Sequence, residues 1–466
     1  MTQIPIVAGV YADTSPDFRT QYPVNLTVIP KPTGISDGYL RIADGIVSNG
    51  TGPGVTRGGI EWNSIEYRVM GTKLVSVTSD GVTTTLGDVG GAGDVSMTYS
   101  FDYLAIASGL NLFLYNGTTL VQVTDADLGN VLDVVWIGGY FMTTDGTSLV
   151  VTELNDPFSV NPLKYGSSEV DPDPVVGLIS MRNEVYAINR NTIEVFRNIG
   201  GDLFPFQRVT GGQIERGAVG THCAVAYLGR IAFMGGNRNE AVSVRMGISG
   251  SDTKISTREI DLILAEYSEA VLAQAFMEVR SDNGNDVLII HLPDRTLCFD
   301  GSVSTAMGVP IWYELSSAIG GGAWDARHLV WINNKWSVGR TTGSDIGYLS
   351  RSVFTHWGAK ITWSFGVPIL YNESRGVQVH ELELVVLTGS AAFGSDPVVT
   401  TQHSSDGVVW SQAKNCRVGT LGDRSQRVRW SRCGTARNWR AQRFFGDSGA
   451  PLSIARLEAR IEALAW

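Results

Sequence analysis

The chain has 466 residues, a formal net charge of −10 and 54 glycines. That length needs more than one small core unless a barrel or propeller fills much of it, and a hydrophobic content of 43% with dispersed charge excludes a disordered chain. No apolar run nears the ~18 residues of a membrane span, and the acidic balance argues against an electrostatic clamp on DNA, whose affinity rests on neutralising phosphates. Glycine exceeds its background of about 7% without a collagen-like period, so it reads as turn punctuation.

In chain order, the N-terminal "MTQIPIVAGVYADTS" has no basic n-region and only a brief apolar run, so a cytoplasmic site of synthesis is expected. Residues 1–50, with Pro23, Pro30 and Pro32, read as an extended arm that crosses the body, since proline and glycine forbid a regular helix there. From Tyr67 one theme recurs: a β-rich run, a Gly, Asn or Asp turn, and a second such run, as in "YRVMGTKLVSVTSDG", "EVYAINRNTIEVF" and "HLVWINNKWSVGR". Seven copies start near Tyr67, Tyr103, Tyr140, Val185, Ile231, Val287 and Leu329, 36 to 56 residues apart, about one four-stranded propeller blade each. The expected fold class is therefore all-β, with a six- or seven-bladed β-propeller over 51–355.

The longest spacing contains "ISTREIDLILAEYSEAVLAQAFMEV", a helical insertion near 256–280 in which Ser256 and Glu259 fit a capping box. It is either part of a working face or a helix packed on the rim. In "DVLIIHLPDRTLCFDGS" a two-residue turn at Asp294 and Arg295 would set His291 opposite Cys298, with Asp300 and Gly301 closing the second strand. That pairing reads as hairpin grammar rather than catalysis.

Residues 356–466 read as a separate β-sandwich-like domain. In "VQVHELELVVLTG", plain alternation puts Val377, Val379, Glu381 and Glu383 on one side and His380, Leu382, Leu384 and Val386 on the other. The final "LSIARLEARIEAL" fits either a helix or a strand, and its context favours the strand. "HSSDGVVWS" resembles the Asp-box of sialidase-like propellers at Ser404, Asp406, Gly407 and Trp410, but the residue that should separate Asp from Gly is missing, which leaves a capped turn.

Cys223, Cys298, Cys416 and Cys433 lie far apart with no CxxC, so free thiols are expected and no metal site is legible. The aspartates of "DPDP" read as loop, and no nucleophile, phosphate-loop or zinc-protease motif occurs. No catalytic residue, metal or cofactor is therefore expected. Between Lys414 and Arg460 there are 11 basic residues against three acidic ones, a surplus of eight that leaves −18 for the rest. Within it Arg427, Arg429, Arg432, Arg437, Arg440 and Arg443 interleave with Trp430 and Trp439. Such a stretch suits a protein interface, a solvated strand face, or a groove for single-stranded nucleic acid.

Taken in order, "PVNLTVIPKPTGISDGYLRIADGI", "YRVMGTKLVSV", "GDVGGAGDVSM", "IEVF", "ERGAVGTHC" and "LIIHLPDRTLCFD" resemble the packaged-DNA stabilisation, or tail hub, proteins of short-tailed bacteriophages. The resemblance covers residues 20–300 well and the C-terminal third in outline. It implies a structural virion protein: a homo-hexameric tail hub or nozzle below the portal and head-to-tail adaptor, closing the DNA exit channel and meeting the tail needle and the tailspike or fibre. Double-stranded DNA would pass its lumen without specific binding. A propeller that binds or hydrolyses host glycans is the rival reading.

Overall fold

Glycine and asparagine turns cut the middle of the chain into short antiparallel strands, and the computed structural model arranges them as seven blades, six of four strands and a seventh whose sheet has six. It describes residues 2–4, 6, 10–13, 18–31, 36, 38–371, 376–391, 393–437, 439–447 and 451–464. Pro32, one of the expected arm prolines, lies outside them. Six blades are formed by consecutive strands, over residues 56–88, 96–122, 133–167, 175–208, 224–254 and 276–315. The first strand of each blade contacts the first strand of its neighbours, and Arg327–Ile332 of the seventh blade contacts Thr56–Trp62 of the first, so the ring is closed.

The recurrent sequence unit is the second and third strand of a blade, except in the seventh, where it is the first and second. Except in the second blade, where Ser100–Tyr103 make a longer loop, first and second strands join through two-residue turns with both residues at positive φ, such as Asn63 and Ser64, or Asn333 and Asn334. That conformation matches the twist of the flanking strands. Apolar side chains alternate into layers between blades. Val69 and Leu74 of the first blade pack with Leu104 and Ile106 of the second.

The segment expected to be an arm is woven into both domains. Gly45–Thr51 is the fourth strand of the seventh blade, pairing Val47 with Tyr348, so the chain closes its own ring. A Cβ at Gly45 would collide with the Val353 carbonyl, which fixes glycine there. Leu26–Pro30 and Gly38–Ile42 form a hairpin in a sheet whose other long strands are Val377–Val386 and Ser453–Ala463. A second sheet of Thr362–Tyr371, Trp439–Asp447, Val398–Ser404 and Lys414–Arg417 completes the sandwich. Leu40, Trp363, Phe365, Leu382, Trp430, Phe444 and Leu457 form its core.

Four local expectations change. The helix Arg258–Leu264 is capped by Thr257, whose side chain accepts from Ile260 N, and not by Ser256, whose hydroxyl donates to Asp261. Its Ile260 and Leu264 are buried against the fifth and sixth blades, as a rim helix would be. His291 pairs with Thr296 and Cys298 with Ile289, because the turn is Pro293–Asp294 and Leu292 N donates to Arg295 O. Asp300 caps a further helix, Gly301–Met307, by accepting from Val303 N, so it ends the hairpin by starting a helix. In Val377–Val386 a bulge between Val379 and Glu381 shifts the alternation, so Val377, Val379, Leu382 and Leu384 are all buried while Glu381 and Glu383 are only partly so.

Candidate interaction surface

The arginine-rich stretch divides by strand parity. On Val428–Ser431, Val428 and Trp430 are buried in the sandwich core while Arg427, Arg429 and Arg432 are exposed beside them. Trp430 Nε1 donates to Lys414 O at 3.0 Å. Arg427 Nε donates to Glu383 Oε1 at 2.7 Å, and Arg429 reaches Glu381 at 3.3 Å. The hydrogen bond from Arg427 holds the Glu383 carboxyl below its ordinary range. Val428–Ser431 ends its sheet, so a row of arginine side chains borders an edge strand.

Other members of the stretch turn inward. Arg440 is 1% exposed, and its guanidinium donates to Gln442 Oε1 at 2.8 Å and to the Cys433 carbonyl at 2.7 Å. Burial without a carboxylate pulls its pKa down to about 10. Arg443 donates to Gln402 Oε1 at 2.7 Å and lies 4.0 Å from the Trp410 ring centroid. Arg437 is exposed and Trp439 half-buried. The surface that can meet a partner is thus Arg427, Arg429, Arg432 and Arg437, while Trp430 and Arg440 are structural. Asp406 of the Asp-box-like stretch accepts from Val408 N and Val409 N and caps its own turn.

A second polar assembly lines the axis of the propeller, around a cavity of about 460 Å³. Glu278 accepts from Leu329 N at 2.7 Å and meets His291 Nε2 at 2.7 Å. Burial works against the Glu278 charge, but the bond to His291 and the nearby histidines hold its carboxyl below the ordinary range. Asp94 bonds His328 at 3.1 Å and Arg327 at 3.0 Å. His328 in turn meets Thr56 Oγ1 at 3.1 Å, which ties the seventh blade to the first. Each charged group has a fixed partner, and Cys298, which sequence proximity linked to His291, is fully buried with its thiol pushed well up by burial. Among the described residues no group of three or more His, Cys, Asp and Glu is placed to hold a metal ion.

The two domains are fastened by residues that sequence reading passed over. Val24 N donates to Ser364 O at 2.8 Å, and Asn25 N donates to Glu314 O at 2.8 Å. Asn25, fully buried at φ 53°, donates from Nδ2 to Ser316 O at 2.9 Å and Thr362 O at 2.7 Å, and accepts from Ser316 N. One asparagine thus links the sixth blade to the sandwich. Its only sequence signal is that Asn tolerates positive φ.

The same division is found in relatives. Residues 2–354 match the family model described as bacteriophage P22 Gp10, beta-propeller, and 362–462 match that described as bacteriophage P22 Gp10, beta-sandwich. The tail hub protein gp10 of Salmonella phage P22 is 26% identical, with 99% of each chain covered. Among solved structures, the Pan2 WD40 domain of Neurospora crassa aligns with a TM-score of 0.43 at 9% identity, over 66% of this chain and 97% of its own. An extracellular domain of a putative hybrid two-component system from B. thetaiotaomicron reaches a TM-score of 0.43 at 10% identity, over 71% of this chain and 46% of its own. With both domains matched in order, this chain belongs to the phage P22 Gp10 family.

Proposed function

We propose that the protein is a structural component of a phage virion, a tail hub that joins the tail complex and through which the genome passes. The observation that carries this reading is the full-length, two-domain match to the gp10 family and its tail hub member. Function of this kind rests on surfaces and not on a catalytic centre. In the finer reading six copies form a ring below the portal and head-to-tail adaptor, close the exit channel after packaging, and receive the tail needle and the tailspikes or fibres. A cyclic ring needs two different complementary patches on each copy.

The exposed arginines at the sandwich edge are proposed as one such patch, meeting an acidic surface on a neighbouring subunit or the adaptor. A rim of the propeller supports the complementary half. The loops holding Asp125, Asp127, Asp145, Glu169, Asp171 and Asp173 emerge on one face of the second to fourth blades, and of these carboxylates Asp171 pairs with Arg238 at 2.8 Å. Carboxylate-rich loops that face a DNA path repel phosphate and let the duplex slide. Electron microscopy of the purified protein mixed with its cognate adaptor and portal tests this reading. A sixfold ring on the adaptor is expected, and a monomer that ignores the adaptor but binds or cleaves surface glycans would overturn it.

A further inference from the structure

We infer that the seam between propeller and sandwich holds a binding site for one small inorganic anion of the halide class. A cavity of about 40 Å³ lies there, and Arg41, Asp44, Arg280, Asp282, Trp324 and Arg351 line it. The ion pairs within this set leave a surplus: three guanidinium groups face two carboxylates. Arg41 donates to Asp44 at 3.2 Å, Arg280 bonds both Asp44 and, at 3.0 Å, Asp282, and Arg351 reaches Asp282 at 3.4 Å. Both carboxylates are therefore already engaged, and one positive charge is uncompensated.

The second observation concerns donors. Arg41 Nε, Arg280 Nε and Trp324 Nε1 are buried, and none has an acceptor. Trp324 is 3% exposed and is held by a stacked contact with His291, ring centroids 6.1 Å apart. Buried donors are rarely left unmet, because desolvation then goes uncompensated. All three orphans lining this cavity are donors, so its occupant must accept hydrogen bonds, which rules out a cation. One water needs about 10–15 Å³ of such space, so the cavity has room for a small ion or for about three waters. Waters there would bring hydrogens of their own and leave the surplus charge in place. A halide accepts from all three donors and cancels the surplus charge. The site would bridge Arg41 of the sandwich hairpin and Arg280 and Trp324 of the propeller, and it does not depend on the tail hub reading.

The test uses the full chain. Crystals grown in bromide should give an anomalous peak within hydrogen-bond distance of Trp324 Nε1 and the two arginine Nε atoms. In solution, the unfolding midpoint should be higher in sodium chloride than in sodium gluconate at matched ionic strength. Trp324→Phe, which keeps the aromatic stack and deletes the donor, should abolish that halide-dependent difference, and Arg41→Gln should reduce it. A cavity without bromide, filled by water alone, would overturn the inference, as would equal midpoints in the two salts. If Trp324→Phe fails to fold, the bromide peak in the wild-type protein decides.

Discussion

At the scale of single residues, the buried charges decide how firmly the propeller is held. Arg68 is wholly buried, bonds Glu66, and donates to His328 O at 3.0 Å and Ser337 Oγ at 3.1 Å, so the first blade is locked to the seventh. Arg68→Ala should cost about 3–5 kcal/mol, since it strands a buried carboxylate. Replacing both partners, Glu66→Gln with Arg68→Met, should recover part of that in denaturant unfolding. His356 bonds Ser317 at 2.8 Å, and burial pulls its pKa down to about 4. The folded state then prefers the neutral ring and the unfolded chain binds its proton first. Stability should thus fall as pH drops from about 6.5 towards 4, by roughly 3 kcal/mol from this group. Urea titrations across that range check the slope, and His356→Gln should remove this group's share of it.

Among elements, the strand Gly45–Thr51 completes the seventh blade. Because a side chain at Gly45 would strike the Val353 carbonyl, Gly45→Val should unseat the strand and expose the seventh blade to protease, while leaving the second to fifth blades protected. Limited proteolysis with mass spectrometry reads this directly. The elements also explain what was legible beforehand. Second and third strands of a blade are long apolar runs around a Gly or Asn turn, so the blade period stood out, and so did the sandwich strands. The sandwich partner of Gly38–Ile42, Ser453–Ala463, and the partner of Gly45–Thr51 lie hundreds of residues away, and no local pattern announces a pairing of that range. Val428, Trp430 and their arginine neighbours followed strand parity. Arg440 did not reveal itself, since its burial depends on Gln442 and on the carbonyl of Cys433. The bulge near His380 inverted the facing of Glu381 and Glu383 because a single extra residue resets the period of two.

For the molecule as a whole, both termini of the propeller run into one sandwich, so the two domains are joined through paired backbone strands. Asn25→Ala removes three hydrogen bonds at that junction and should lower stability by about 2–3 kcal/mol. Differential scanning calorimetry should then split one transition into two. The exposed arginines belong to this scale as well. Reversing both Arg427 and Arg429 to Glu should weaken attachment to an acidic partner several-fold at low salt, with the difference fading as salt screens it. Equal attachment of variant and wild type at low salt would remove the basic edge from the assembly surface. The central claim, a tail hub built from this propeller and sandwich, is tested most directly by cryo-electron microscopy of the protein bound to its cognate portal and adaptor. Six copies around the tail axis, each with seven blades and a sandwich, are the expected result. A chain that stays off the axis, or is missing from the assembled tail, would contradict it.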